Sequence, residues 1–473
     1  MTIIRVVTAT LITLSALPAT PVAAAGTCTG RLRYASTSNT IYLSDGTATL
    51  SEIDAACPNA PLTRLGKGAW RLDADLVVEN GATLVLKGGA AGGDVDTLRL
   101  RSSASNRKTE VSAIIAEYGT ILIEKAEITS WDPATGGPDT DPSLPANAPY
   151  DARGRAFIRV TSFMDGATPR ESRMDIVHSD LGHLGFHGPE SYGVSYKGRG
   201  CDASHPRICD ALNVYGKQIG SRFHHNYFGV YTYNAYGMKI IGNEYDHNIA
   251  YGLDPHDDSD HLTIAENRFH HNGNHGLICS KRCDHLLIAD NESYANGAQR
   301  RARVRGKGRP IGQVHGIMLH AGVTHTIVEN NRVRDHLDGA GIAIYDSAHN
   351  VVRNNTISNV TYGLRYSVGA RDIETTGNVV TGSGRHAVFT YRGSERPVHT
   401  APSGRPAHLL FAGNTFDGAG GPIVRIHDSD GVRFVENTFT GRMGPVRVRN
   451  STDTTFVRNT GPSWLLPPPS GGR

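Results

Sequence analysis

The segment Tyr251-Gly-Leu-Asp-Pro-His-Asp257 sets a phenol, two carboxylates and an imidazole within seven residues. Those are groups for moving protons. An imidazole titrates near neutrality and makes an effective general base, and a phenol can return a proton. If the segment is a strand, alternation turns Leu253 inward and sends Asp254 and His256 outward on one face. Pro255 stands between them. It cannot donate to a β-ladder and is unwelcome in a central strand, so it reads as a local break at the site. Two cations, Lys281 and Arg282, follow inside Cys279-Ser-Lys-Arg-Cys283. Removing a proton next to a carboxylate requires such charge, because otherwise a dianion develops. The plain alternative for that pair is a solvated basic turn.

The elements that must position these groups are announced by a repeat. Asn-x-(aromatic or β-branched) recurs at Asn226, Asn243, Asn267, Asn331, Asn355, Asn378, Asn414 and Asn437, and Asn291 fits with Ser293 in the third place. The spacings are 17, 24, 24, 40, 24, 23, 36 and 23, so a unit of 23–24 dominates and the long gaps read as one unit plus an insertion. A second landmark follows on several units: Tyr251-Gly, His275-Gly, Ala340-Gly and Tyr362-Gly. Short β-rich pieces such as Met238-Lys-Ile-Ile241 lie between, without a helical period. Units this small cannot bury an apolar face alone and must stack. The prediction is an all-β solenoid, a parallel β-helix, with asparagine at a bend where it tolerates left-handed backbone and bonds its stacked neighbour. A leucine-rich repeat would need an L-x-x-L-x-L frame, which is absent. The coils are expected to start near Trp70, after an N-terminal cap over 26–67, and to run to 460. Loops are expected at 131–155 and 297–312, and a disordered tail at 461–473.

Aligning the units on their glycines stacks outward residues into columns. One column reads Tyr231, Asp254, Ile278, Met318, Ala343, Arg365, and the other Tyr233, His256, Ser280, His320, Tyr345, Ser367. Neighbouring strands lie ~4.8 Å apart, so the columns form one strip. Aromatic rings, polar groups and cations along a groove suit an acidic sugar chain. An ordinary solvated sheet face is the competing reading. Tyr251 has inward parity but sits at a bend, where parity fails, and can face the groove too.

The N-terminus reads as an export signal: Arg5, an apolar stretch from Val6 to Leu17, and Ala23-Ala-Ala25 before Gly26. No later segment is long enough to span a bilayer. Six cysteines (Cys28, Cys57, Cys201, Cys209, Cys279, Cys283) suit an oxidising compartment. Pairing in sequence order, 28–57, 201–209 and 279–283, is the simplest of fifteen arrangements. A zinc site would need compact C-x-x-C pairs, which are missing. Net charge is only +3, so steering of a polyanion must come from local clusters. The run Arg300, Arg301, Arg303, Arg305, Lys307 and Arg309 is one. It is too glycine-rich for a nucleic-acid-reading helix and lacks aromatic interleaving. A monomer is expected, with an acidic polysaccharide as its partner.

Tyr251-Gly-Leu-Asp-Pro-His-Asp257 resembles the Y-G-[IFL]-D-P-H-[DE] signature of mannuronan C5-epimerases, which convert mannuronate to guluronate within alginate. Leu181-Gly-His-Leu-Gly185, Ser191-Tyr-Gly-Val-Ser195, Asp246 to Asp257, His275-Gly-Leu-Ile278 and Gly341-Ile-Ala-Ile-Tyr-Asp346 follow in the order of the periplasmic members. The resemblance covers about 150 to 380 and implies a right-handed parallel β-helix. Carried over by position, it implies that Asp254 and His256 are catalytic, that Tyr251 transfers a proton, and that Lys281 stands where an arginine neutralises the substrate carboxylate. Arg282 beside it can bind a carboxylate bidentately, which lysine cannot. His315 resembles a His-Gly of the secreted members. Asp257, His275, His315, His320, Tyr345, Arg365, Tyr231 and Tyr233 are the expected substrate-binding residues. No cofactor is expected. Asp257, Asp258 and Asp260 offer oxygens of the kind calcium takes, although such runs are more often solvated turns.

The expected chemistry is C5 epimerisation of a polyuronate, with His256 as base, Tyr251 as proton donor from the other face and Asp254 orienting base or substrate. A polysaccharide lyase shares the proton abstraction but then expels the C4 oxygen. A glycoside hydrolase needs two spaced carboxylates on the groove, and the columns hold one. A non-catalytic carbohydrate-binding β-helix would carry the same strip and turn nothing over.

Overall fold

The structure is a computed structural model that describes residues 28–102, 111–144, 152–297 and 314–465. The predicted signal segment and nearly all of the basic insertion lie outside the described residues. One coil shows the construction. Leu253–His256 forms a strand of the first sheet, Thr263–Ala265 of the second and Arg268–His270 of the third, before the chain re-enters the first sheet at Leu277–Ser280. Each strand pairs in parallel with its counterparts one coil before and after. Among the described residues the three sheets hold 16, 14 and 15 strands. The fold is a parallel β-helix.

Its strands are short because every coil turns three corners, and they are β-rich because inward side chains stack on their own kind. Leu253, Ile264 and Phe269 have no solvent exposure. The inward rings of Phe223, Tyr245 and Phe269 stack at 5.1 and 5.0 Å. Each coil thus completes the apolar floor of the next, which none could do alone.

The asparagine repeat resolves into two ladders rather than one. Asn243, Asn267, Asn291, Asn331, Asn355, Asn378, Asn414, Asn437 and Asn459 line the bend between the second and third sheets, and each side-chain oxygen accepts the backbone N–H of the preceding member at 2.9–3.0 Å. Asn226 belongs instead to a second ladder with Asn248, Asn272 and Asn296, at the turn from the third sheet into the first. That explains its odd spacing of 17. The left-handed backbone falls on the residue before the ladder position, as at Glu266, Asp290 and Asn330. The asparagine itself turns inward to satisfy buried backbone groups.

At the N-terminal end Leu32–Ala35 pairs antiparallel with Thr40–Leu43, and the helix Leu50–Ala56 carries a capping box between Thr49 and Glu52. At the other end the packed chain continues past the predicted limit of 460. Leu465 is buried, and its carbonyl accepts the N–H of Val446. The expected tail thus begins within the last coil, which runs as far as Leu465, and residues 466–473 lie outside the described residues.

Two disulfides form, Cys28–Cys57 and Cys201–Cys209. The expected third does not: Cys279 and Cys283 are free, buried thiols. Both point into the core, where Cys283 donates to the carbonyls of Pro255 at 3.5 Å and Ser280 at 3.6 Å. Burial pushes its pKa up, which keeps the thiol unreactive.

Candidate functional site

The strip lies on the outer face of the first sheet, in the register the repeat implies. Tyr231 pairs with Asp254, Ile278 with Met318, Met318 with Ala343 and Ala343 with Arg365. Tyr233 pairs with His256, then Ser280, His320, Tyr345 and Ser367. Around Pro255 the pairing with the next coil is recorded only at Leu253–Leu277 and His256–Ser280, as a strand residue without an N–H requires.

A third column borders these two. Tyr192, Phe228, Tyr251, His275 and His315 each precede a glycine and follow ring on ring at 4.5, 4.9, 5.6 and 5.1 Å, all stacked except the tilted Phe228–Tyr251 pair. Each glycine is needed where it stands: a Cβ at Gly252 would lie 2.5 Å from the carbonyl of Gly276. Tyr251 therefore leaves the inward parity and packs on the outer face. There it joins a second apolar cluster of Ile278, Met318, Ala340, Ala343, Tyr345 and Tyr362. Tyr192 and Phe228 lie outside any repeat pairing that the sequence made evident; the aromatic-glycine dipeptide was their only signal.

That cluster changes the character of the central column. Its members face outward yet are shielded, and Asp254 is only 3% exposed. Burial, with help from the Asp257 charge, raises the Asp254 carboxyl to about 7 against the pull of His256 and Lys281. One of its oxygens, Oδ1, is buried without a hydrogen-bond partner. A carboxyl so placed can be neutral at neutral pH and able to donate.

His256 is held by its neighbours. Its Nδ1 contacts the Asp257 carboxylate, with the Tyr231 hydroxyl 3.5 Å away. A carboxylate on Nδ1 fixes the tautomer and leaves Nε2 as the basic nitrogen. Burial opposes the charge on Asp257, but the His256 hydrogen bond and the His256, Lys281 and Arg282 cations hold it below the usual carboxylate range. Burial also pushes the Tyr231 phenol far up, with Asp254 and Asp257 adding to the effect, so it stays protonated.

The two cations divide. Arg282 grips both acids, donating to Asp257 at 3.0 Å and to Asp258 at 2.9 and 2.7 Å. The Asp258 hydrogen bond raises its pKa further. Lys281 stands apart, half exposed, with Nζ 3.8 Å from Asp257. The guanidinium also fills the space between Asp257 and Asp258, while Asp260 accepts the backbone N–H of Asp284 at 2.8 Å. The acidic run therefore does not form an oxygen cage of the kind calcium takes.

The remaining expected residues extend or support the strip. His275 Nδ1 accepts the His315 N–H at 2.8 Å, and His315 Nδ1 accepts the Ala340 N–H at 2.9 Å. His315 is buried and bonds Tyr345 at 3.3 Å through Nε2, so it props the wall more than it presents a free ring. His320 lies 3.2 Å from the Ser280 hydroxyl. Tyr233 directs its hydroxyl to the Cys201 carbonyl and is capped by Lys197 at 4.1 Å, so it fixes the disulfide loop beside the strip. Arg365 is buried against the rings of Tyr345, Tyr362 and Tyr391 at 5.2, 5.4 and 4.8 Å. It borders a cavity of about 360 Å³ shared with His275, His315, Met318 and Glu395. Glu395 comes from the insertion in the 36-residue gap, which Asp346 pins by accepting the N–H groups of Val398, His399 and Thr400 at 2.7–3.1 Å.

Residues 210–300 and 304–400 match the family model described as a right-handed β-helix region. The mannuronan C5-epimerase AlgG of Azotobacter vinelandii is 26% identical over 415 residues, covering 82% of this chain and 66% of that protein. The mannuronan C5-epimerase of Pseudomonas putida is 25% identical over 395 residues, with 81% and 66% covered. The chain thus spans just under two thirds of the length of these curated relatives. The crystal structure of the periplasmic alginate epimerase AlgG superposes with a TM-score of 0.65 at 22% identity, covering 85% of each chain, and gives the coil its right hand. Motif order, coil register and relatives agree, and the chain is similar to the mannuronan C5-epimerases along the coils that carry the strip.

Proposed function

We propose that this protein is a polysaccharide C5-epimerase that inverts uronate residues within a polymer such as mannuronan. The observation that carries the reading is the pairing of a carboxylate-held imidazole with a buried carboxyl on adjacent outward positions of one strand. In this reading His256 removes the C5 proton, with Asp257 fixing its tautomer and favouring the imidazolium that forms. Lys281, the cation not committed to an acid pair, neutralises the substrate carboxylate, while Arg282 holds Asp257 and Asp258 in place. Asp254 in its neutral form donates a hydrogen bond to that carboxylate as negative charge grows. Tyr251, on the opposite border of the strip from His256, returns a proton from the other side. The relatives named for this activity support the assignment, and the two disulfides support export to an oxidising compartment such as the periplasm. Among the described residues no helix is long and apolar enough to cross a membrane.

The test is incubation with mannuronan in deuterated water. Deuterium at C5 of the product uronate, in polymer of unchanged length, is expected, and His256→Ala should slow the exchange by about 10²–10⁴-fold. Growth of unsaturated-uronate absorbance would instead make the protein a lyase. Absence of exchange on mannuronan, glucuronan and mixed uronans would leave a binding protein.

A further inference from the structure

Beside the strip, the turn from the third sheet into the first carries a column of histidines that the epimerase reading does not use. His183, His225, His247 and His271 occupy one position on successive coils, each in left-handed backbone. Their rings stack at 4.9, 5.2 and 5.2 Å. A further imidazole joins on the second of these coils, as His270 also does beside His271, Nδ1 to Nδ1 at 2.9 Å. His224 sets Nε2 2.6 Å from Asp180 Oδ1, and its Nδ1 lies 2.9 Å from Nδ1 of His225. With His183 these rings form a group whose ligand nitrogens all lie within 4.8 Å of one another.

Gly182, in register with His224, makes the arrangement possible. A Cβ there would stand 2.5 Å from both Cε1 and Nε2 of the imidazole. The missing side chain lets the ring lie across the neighbouring coil and reach Asp180. Two Nδ1 atoms in direct contact need either a shared proton or a shared cation, because two lone pairs facing each other repel. A tetrahedral zinc ion with bonds of 2.0–2.1 Å holds its nitrogens about 3.3 Å apart, which a small opening of the 2.9 Å contact between His224 and His225 reaches. A carboxylate on the far nitrogen of a ligating histidine is the usual outer support of such a site.

We propose that His183, His224 and His225 bind a divalent transition metal of the zinc type, with Asp180 orienting His224. The ion staples two successive coils at the turn that leads to Phe228 and the aromatic border of the strip. Two other groupings are poorer candidates. Asp246, beside Glu244 and His270, is taken by Arg222 through two hydrogen bonds of 2.8 Å. The imidazoles of His285 and His325 both turn Nδ1 onto Asp284.

The experiment is calorimetric titration of the tag-free, chelator-treated protein with zinc, paralleled by visible absorption with cobalt. One site in the micromolar range or tighter is expected, with the d–d bands of a low-coordinate, nitrogen-rich centre. His183→Ala with His225→Ala should weaken zinc binding by about 100-fold or more, and Asp180→Asn by about 10–100-fold. His285→Ala with His325→Ala should leave it unchanged. Thermal melting without metal tells whether each variant is folded; if the double variant is not, Asp180→Asn and the cobalt spectrum decide. Binding unaltered by the His183/His225 and Asp180 changes, or lost with His285 and His325, overturns the proposal, as does a wild-type protein that takes up no zinc.

Discussion

Asp254 is a carboxyl that folding has taken out of water without giving both oxygens a partner, and its raised pKa of about 7 makes it a liability at alkaline pH. Its folded pKa exceeds the unfolded value, so the native state holds the proton more tightly. Stability is therefore highest below the ordinary carboxyl range and is lost as pH rises through about 7. The loss is on the order of 4 kcal/mol for this group. In Asp254→Asn that dependence should vanish: the melting temperature of the variant relative to wild type should climb between pH 4 and pH 8, while epimerisation falls. A constant offset across that range would mean that Asp254 is ionised throughout. The cations part company in the same way. Lys281→Ala should keep the melting temperature within a degree or two and lower kcat by about 10²–10³-fold, the usual loss for a fixed charge aimed at the transition state. Arg282→Ala should lower both kcat and melting temperature, since it strands Asp257 and Asp258. Equal behaviour of the two variants would refute this division of labour.

The elements that hold these side chains are coils locked at their corners. Asn267 accepts from the backbone and side chain of Asn243 at 2.9 and 3.0 Å, and donates to Ile240 at 2.8 Å and Asn291 at 3.0 Å. Removing it leaves several buried groups unsatisfied, at about 1–3 kcal/mol each. Asn267→Ala should therefore cost roughly 3 kcal/mol or more in denaturant unfolding, and lower activity by displacing the coil that bears Asp254. Asn459→Ala, at the partly exposed end of the same ladder, should cost about 1 kcal/mol or less. A ladder whose ends and middle respond alike would not be behaving as stacked, nearest-neighbour units. The register follows from these corners: once the asparagines align, every outward column is fixed, because a slip of one residue would turn each side chain to the other face.

At the scale of the whole molecule the strip is a long site. From Tyr231 to Arg365 it crosses five coil steps, or ~24 Å at the usual strand spacing. Oligouronate affinity should rise with chain length until that distance is filled and then level off, as measured by calorimetry on a size series. A flat series would mean that only the sugar at Asp254 is gripped. The insertion pinned by Asp346 borders the Arg365 end, so its release in Asp346→Ala should raise KM for polymer more than it lowers kcat.

Periodicity alone determined the coil, the pairing of Tyr231 with Asp254 and of His256 with Ser280, and the outward direction of Asp254 and His256, because a solenoid repeats one local geometry and sequence spacing is its ruler. The motif likewise singled out the groups proposed to move protons. Other features were settled only when distant coils came together. Spacing could not reveal that outward Asp254 would be shielded, on a face where Tyr251, Ile278 and Met318 from three coils form an apolar cluster. Nor could it show that Arg282 lands against both Asp257 and Asp258 while Lys281 stays half exposed, 3.8 Å from Asp257. Cys279 and Cys283 looked like a pair by proximity in sequence, but both turn inward and Cys283 finds the carbonyl of Pro255. Burial, hydrogen-bond partnership and charge neutralisation are properties of neighbourhoods. In this protein each neighbourhood is assembled across coils, from residues that lie some 24 or more positions apart.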